Sequence, residues 1–553
     1  MGADASTPRV EMYDTTLRDG SQQVGLDLTV ADKLRVALAL DALGVDVIEG
    51  GWPGSNPKDA EFFERVRELE FRNSTLAAFG ATRLPGRHVE DDASLAALLA
   101  AETPIVTLVG KSWTLHVDEA LRTTRAENVA MVADSIAYIA AAGRRVVFDA
   151  EHFFDGYRAD RGYALEVIAA AAEAGADTVA LCDTNGGTLP DDVARIVADV
   201  IGECRRWPDR RGSGGRPPGQ RLSIGVHFHN DAACAVANSV VAVGAGSVHV
   251  QGAANGYGER CGNADLFSII ASLELKRGYS LLPEGRLAAL ATTARTIAEV
   301  ANLPFEARQP YVGSSAFTTK AGLHASAIAR RPDAYSHVPP AAVGNKAQVL
   351  VSELAGRSNV LAKAAELGLD LSGDPGLAGR VLEQVKEAEH RGYAFEAADA
   401  SFELLVRRSA GVLPGWFELE GYRVVVERDG SDDRSEAIVR LRLGTSRVVA
   451  VGEGVGPVHA LDQALRRALS EVYPELAGIH LVDYKVRILD GRAATSAVTR
   501  VMLASADADG EWTTVGVSDD IVTASWEALT DGVAYGLLRA GAEPLADKIS
   551  EAV

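Results

Sequence analysis

Cysteine is scarce in this chain. There are four in 553 residues, Cys182, Cys204, Cys234 and Cys261, and no two form a CxxC pair. That spacing excludes a disulfide framework or a zinc knuckle and reads as reduced thiols in a cytoplasmic protein. Long apolar runs are missing too. Charges interrupt every Ala/Val/Leu stretch well short of the roughly 18–20 residues that a membrane span needs. The opening MGADASTPRV has no apolar segment of the secretory kind. Positive charge is in deficit, with 55 Lys and Arg against 76 Asp and Glu, a net charge of -21. Such a surface argues against nucleic acid or an anionic membrane as the main partner, yet leaves room for basic groups in one pocket. The remainder is ordinary globular material, 47% hydrophobic and 24% charged, enough for a large core.

From residue 10 to residue 275 a short apolar strand alternates with a longer Ala/Leu-rich helix. Strands are expected at 10–14, 45–50, 74–80, 105–110, 145–151, 177–183, 222–229 and 247–252. Helices are expected at 29–43, 58–69, 89–101, 125–142, 161–174, 191–204, 232–243 and 263–276. Eight of each over roughly 250 residues is the count of a (β/α)8 TIM barrel. An open doubly wound sheet is the competing arrangement; the even count and the polar strand ends favour closure. The barrel is assigned to residues 1–280, with the Gly/Pro/Arg-rich stretch 205–221 as an exposed insertion before strand seven.

Residues 281–398 are helical in pattern and read as linker subdomains. From 399 to 553 the pattern changes. FELLVRRS, WFELEGYRVVVER and SEAIVRLRLG alternate with period two, as half-buried strands do, and the helix VHALDQALRRAL follows. The order then repeats in HLVDYKVRIL, SAVTRVMLASA, WTTVGVS and VTASWEALTDGVAYGLL, with Ala460 and Ala524 in register. This is a duplicated α+β domain without a catalytic cluster. It reads as a ligand-binding regulator or as a dimerising element.

Barrel chemistry sits at the C-terminal ends of the strands. Those ends carry Arg18 and Asp19, Glu49, Asp149 with Glu151 and His152, Thr184, His227 with His229, and Glu259 with Asn263. The spacing of His227 and His229 puts both imidazoles on one face of a strand, where they can grip one divalent ion. Asp19 can add a carboxylate and Asn263 an amide oxygen. Such a mixed set suits Mn, Mg or Zn as a Lewis acid. The turn GYGERCGN, with Gly256, Gly258 and Glu259, is either a phosphate-binding turn for a CoA thioester or a plain turn.

YDTTLRDGSQ, HFHND and GYGERCGN, in this order and spacing, resemble the signatures of the 2-isopropylmalate, homocitrate and citramalate synthases, metal-dependent TIM-barrel acyltransferases. IEGGWPGSNPKD (48–59) is most like the citramalate branch. The likeness spans nearly the whole chain, because that family also carries a helical linker and a duplicated tail that binds an end-product amino acid. The resemblance implies condensation of acetyl-CoA with pyruvate and water to citramalate and CoA. Its alternatives are 2-oxoisovalerate or 2-oxoglutarate as the keto acid, an acyl-CoA lyase, or a non-catalytic scaffold. The lyases use a cysteine in a glycine loop, and Cys261 sits differently.

By the same resemblance Asp19, His227, His229 and Asn263 match metal ligands, and Arg18 matches the arginine on the keto oxygen. Gln22 lies in the same turn and helps to place substrate. Glu151 stands near the acetyl methyl, and Thr184 holds the keto-acid carboxylate. His324 and Tyr335, in TTKAGLHASAIARRPDAYSHV, match groups brought over the neighbouring subunit's site, which implies a homodimer.

Overall fold

The computed structural model describes residues 8–207, 222–319, 327–328, 331, 335–349, 357–369, 376–395, 398–429, 432–489 and 497–545. His324 and all but the first three residues of the 205–221 insertion lie outside the described residues. The chain divides into two compact units, one of Met1–Phe317 with Ser336–Ala347 and one of Thr318–Tyr335 with Gln348–Val553. The stretch read as one helical linker is therefore shared between both units.

In the first unit eight parallel strands close a barrel in chain order. They are β1 (Glu11–Asp14), β2 (Val47–Gly51), β3 (Thr75–Ala81), β4 (Ile105–Lys111), β5 (Arg145–Glu151), β6 (Thr178–Asp183), β7 (Ser223–Phe228) and β8 (His249–Gly252). Closure is made by β1 on β8, from Glu11 opposite His249 to Asp14 opposite Gly252. Phe148 of β5 and the helix residues Phe62, Phe154 and Phe267 are fully buried in the one core between the strands and the surrounding helices. Tyr13, Val47, Ala77, Ile105 and Val147 form a small separate cluster inside the ring. Local signals fix the element ends. Thr29 and Asp32 make a capping box at the start of helix Val30–Leu43, and left-handed Gly44 ends it.

One barrel element was not expected from the sequence. A short helix, Phe153–Ala159, follows β5 directly and is entered through His152 in a left-handed conformation (φ 53°). A strained non-glycine position of this kind persists only where its surroundings over-determine it.

The second unit contains the parallel pair β9 (Thr318–Thr319) and β10 (Gln348–Val349) and the helices Arg357–Glu366, Leu377–Arg391 and Asp399–Ala410. Two antiparallel sheets follow, β11 (Glu418–Asp429), β12 (Asp432–Leu443), β13 (Ser446–Gly454) and then β14 (His480–Ile488), β15 (Thr499–Asp507), β16 (Gly510–Ser518). The helix Pro457–Leu469 follows the first sheet and Ile521–Arg539 the second. FELLVRRS is not a strand, contrary to the periodicity reading. It lies in helix Asp399–Ala410, and β13 supplies the third strand. The helix is buried on two sides. Phe402 and Val406 pack with Val381 and Val385, while Ala400 and Leu404 join the sheet core. Burial on two faces imitates a period of two.

The duplication holds at atomic detail. A Cβ on Gly452 of β13 would stand 2.4 Å from the Ala460 carbonyl oxygen, and one on Gly516 of β16 would stand 2.0 Å from that of Ala524. Both helices cross their sheets where only hydrogen fits. Among the described residues no helix is long and apolar enough to cross a membrane.

Candidate active site

At the C-terminal mouth of the barrel, Asp19 meets His227 and His229. Both imidazole Nε2 atoms stand 3.5 Å from Asp19 Oδ2, and the rings are 5.1 Å apart. None of the three side chains is more than 7% exposed, and they form the one cluster of ligand-type groups found among the described residues. Burial, the largest effect, pushes His227 down to about 3 against the pull of Asp19, and it lowers His229 as well. Both rings are therefore neutral, with lone pairs to give. Burial works to raise Asp19, but the Arg18 charge, the two imidazoles and Asn263 outweigh it and hold the carboxyl at about 2.

Asp19 Oδ2 is an ionised, buried oxygen with no hydrogen-bond partner, and Asn263 Oδ1 is a second such acceptor. A buried polar atom left without a partner is costly. Two unmet oxygens beside two neutral imidazoles are a donor set that a divalent cation satisfies.

Arg18 is gripped on three sides. Its Nε donates to Glu49 Oε1 at 2.5 Å, its Nη1 donates to Asp19 Oδ1 at 2.9 Å, and the guanidinium lies 3.8 Å from the centre of the Phe79 ring. Glu49 is fixed in turn by Tyr13, whose hydroxyl donates to Oε2 at 2.6 Å and lies 2.6 Å from Thr107 Oγ1. Beneath this network, burial first and the Glu49 charge second raise Asp149 to about 7. Gln22 is exposed at the end of the short 3-10 turn Gly20–Gln22, and none of its side-chain bonds joins it to the cluster among the described residues.

The glycines of the turn after β8 have a steric part to play. The helix that follows begins at Leu266, and its first amides are taken by the Asp265 carboxylate, which accepts from Phe267 and Ser268. No open helix N-terminus faces the turn. The chain instead folds back so that Asn263 pairs with His229 as an isolated bridge and donates its amide to the Tyr257 carbonyl at 2.9 Å. A Cβ on Gly258 would lie 2.3 Å from Asn263 Nδ2, and one on Gly262 would lie 2.1 Å from the Gly256 oxygen. The glycines thus give Asn263 its place. Glu259 is exposed beside Arg260. A cavity of about 710 Å³ opens next to Asn263, lined among others by Asn230, Asn255, Gly256, Cys261 and Arg308.

On the opposite wall Glu151 is ion-paired with Lys111, a partner the sequence reading did not single out. Thr184 Oγ1 accepts the His152 amide at 3.0 Å, so its own hydroxyl hydrogen is free to donate. His152 also packs edge-on to His116 at 4.3 Å, where a π-helical turn begins. Tyr335 belongs to the second unit and is half exposed. Four features escaped sequence reasoning: Lys111, Phe79, Gln251 and the clamping role of Glu49. Only Glu49 carried a signal, as an acid at a strand end.

Residues 9–301 match the HMGL-like family, residues 311–392 the homocitrate synthase post-HMGL domain-like family, and residues 396–537 the LeuA allosteric (dimerisation) domain. The chain is 53% identical over 536 residues to the (R)-citramalate synthase of Streptomyces coelicolor, covering 96% of this chain and 97% of that one. It is 48% identical over 531 residues to the (R)-citramalate synthase of Synechocystis, covering 95% and 96%. Identity to a probable 2-isopropylmalate synthase of Methanopyrus kandleri is 30% over 526 residues, covering 95% and 98%. Barrel and profile together define an enzyme of the HMGL-like class. Within it the chain belongs to the family of (R)-citramalate synthases, condensing enzymes of the acyltransferase type.

Proposed function

We propose that the chain condenses acetyl-CoA with pyruvate and water to give (R)-citramalate and CoA, in the cytoplasm, on a route to isoleucine. The observation that carries this reading is the unpaired Asp19 oxygen between two neutral imidazoles, next to a clamped Arg18, in a chain 53% identical to an (R)-citramalate synthase. Asp19, His227, His229 and Asn263 would hold a divalent ion of the Mn, Mg or Zn kind. When bound, such an ion supplies Lewis-acid polarisation of the keto oxygen.

The remaining steps belong to the chain's own side chains. Arg18, held by Glu49 and Asp19, presents its remaining N–H groups to the keto oxygen and stabilises negative charge as it develops there. Thr184 donates its free hydroxyl hydrogen to the keto-acid carboxylate, and Gln22 helps to close the substrate side. The acetyl thioester lies along the cavity beside Asn263, against the turn that holds Gly256, Gly258 and Glu259. Arg308 at its lining suits the phosphates of CoA. Glu151, aligned by Lys111, stands by the acetyl methyl. His324 removes the methyl proton, the task to which an imidazole base is suited at neutral pH. Tyr335 acts with it.

His324 and Tyr335 come from the linker of the neighbouring subunit, so the enzyme works as a homodimer. Mixing inactive Arg18→Ala and His324→Ala subunits restores part of the activity; confirmed subunit exchange without recovery would refute the shared site. The duplicated tail binds an amino-acid effector, isoleucine under this reading. One assay tests the rest: CoA-thiol release with pyruvate, 2-oxoisovalerate and 2-oxoglutarate, with and without chelator, and with added isoleucine. Pyruvate should be preferred, chelator should abolish release and isoleucine should reduce it. A different preferred keto acid overturns the substrate, release that survives chelation overturns the metal, and indifference to isoleucine overturns the effector.

A further inference from the structure

Gln251 lies on β8 inside the barrel and is fully buried. Its amide nitrogen donates to Asp149 Oδ1 at 2.8 Å. A carboxylate is an acceptor only, so this bond fixes which end of the carboxamide faces Asp149 and turns Oε1 the other way. Oε1 is buried and has no well-aligned partner, and the same is true of His227 Nδ1. β7 and β8 pair in parallel with Val226 opposite Val250, so His227 and Gln251 are the next residues along two neighbouring strands. The two unmet atoms, on neighbouring strands, are complementary: an oxygen that needs a donor and a ring nitrogen that can be one.

A neutral imidazole carries one N–H, and its location decides which nitrogen keeps a lone pair. His227 Nε2 is the atom that points at Asp19. With the hydrogen on Nε2, the ring would offer no donor atom there. With the hydrogen on Nδ1, facing Gln251, the Nε2 lone pair is directed into the cluster. We propose that Gln251, anchored by Asp149, is a positioning residue that fixes His227 as the Nδ1–H tautomer and so presents Nε2 to a divalent cation. The inference rests on the reading of Asp19, His227 and His229 as a cation site. Outer-shell partners of a metal-binding imidazole typically contribute about 10–100-fold in metal affinity.

The test uses the full-length protein stripped of metal, titrated with Mn2+ alone, with the free ion counted by its electron paramagnetic resonance signal. Gln251→Leu keeps the volume and removes the acceptor; it should weaken Mn2+ binding about 10–100-fold while the melting profile of the metal-free protein stays cooperative. His227→Ala is the control for the site itself. If His227→Ala leaves Mn2+ binding intact, the cation-site reading fails. If His227→Ala abolishes binding while folded Gln251→Leu binds like the parent, the site stands and the role of Gln251 is refuted. Should the leucine variant not fold, Gln251→Asn, which withdraws the oxygen by one methylene, carries the same test with the same two outcomes.

Discussion

Replacing Glu49 by Gln tests whether the arginine at the barrel mouth is held rather than merely present. Glu49 accepts from Arg18 Nε on one oxygen and from the Tyr13 hydroxyl on the other, and all three groups are buried or nearly so. A carboxamide has one acceptor oxygen, so Gln keeps the bond from Arg18 only if the Tyr13 hydroxyl turns its hydrogen to Thr107. The guanidinium also loses its nearest counter-charge, and removing one member of a buried pair costs about 3–5 kcal/mol. One effect runs the other way. Glu49 helps to push Asp149 up, and Gln relieves that repulsion. The lower end, about 3 kcal/mol, is therefore expected; at roughly 2 °C per kcal/mol for a large domain this is a fall in melting temperature of ~6 °C. An arginine displaced by about 1 Å costs on the order of 100-fold in turnover. Calorimetry and the rate of CoA-thiol release at saturating substrate read the two losses separately. A Glu49→Gln protein with the parent's melting temperature and turnover within threefold would refute the clamp.

His227→Ala and His229→Ala should each lower bound metal and abolish turnover; elemental analysis of either variant showing full metal content would sink the assignment. In the tail, Gly516→Ala places a methyl 2.0 Å from the Ala524 carbonyl oxygen, so helix Ile521–Arg539 must lift from its sheet. A loss of about 1–3 kcal/mol or more is expected in the second unit, and a calorimetric profile unchanged from the parent would contradict the packing. At the opposite end of the barrel, burial works to raise Glu11. Its bonds to His249 (2.7 Å) and Arg145 (2.6 Å to each carboxylate oxygen) outweigh it and hold the carboxyl far below its ordinary 4.5. A depressed carboxyl stabilises the fold fully above its unfolded value, and that stability is lost as pH falls through 4.5 and below. Glu11→Gln should therefore be less stable than the parent at neutral pH and show a shallower acid decline; parallel curves would refute it.

The barrel was legible because its signals are local. Each strand is a short apolar run, each helix has its own period, and eight repeats of the pair leave few ways to close. The bounds of the eight observed strands lie close to their expected spans. The tail shows where the same reasoning breaks. FELLVRRS has an alternating pattern because helix Asp399–Ala410 is covered on two faces by two different cores, and periodicity cannot tell two covered faces of a helix from one face of a strand. The left-handed Gly411 that ends this helix was the local cue in favour of the helix.

At the mouth, the groups that cluster are reactive types at strand ends, and reading only strand ends finds Asp19, His227, His229 and Arg18. The groups that aim them are invisible to that rule. Phe79 is an apolar residue in mid-strand, and Lys111 reaches Glu151 only because β4 and β5 pair in register with Lys111 opposite Glu151. Gln251 stands near Asp149 although 102 positions separate them, because β8 returns across the closed ring. Each of these contacts depends on how the strands pair and close rather than on any neighbour in the chain. A reactive group can therefore be recognised from its own identity, but the partners that hold it are recognised only once the strands are paired. The glycine turn makes the same point in reverse. GYGERCGN has the composition of an anion cradle, yet the donors of the next helix are capped by Asp265, and the absent side chains at Gly258 and Gly262 leave space for Asn263 to reach His229. What the glycines make possible is the placement of one side-chain amide, which is how a turn with no reactive atom of its own comes to set a buried polar group beside His229.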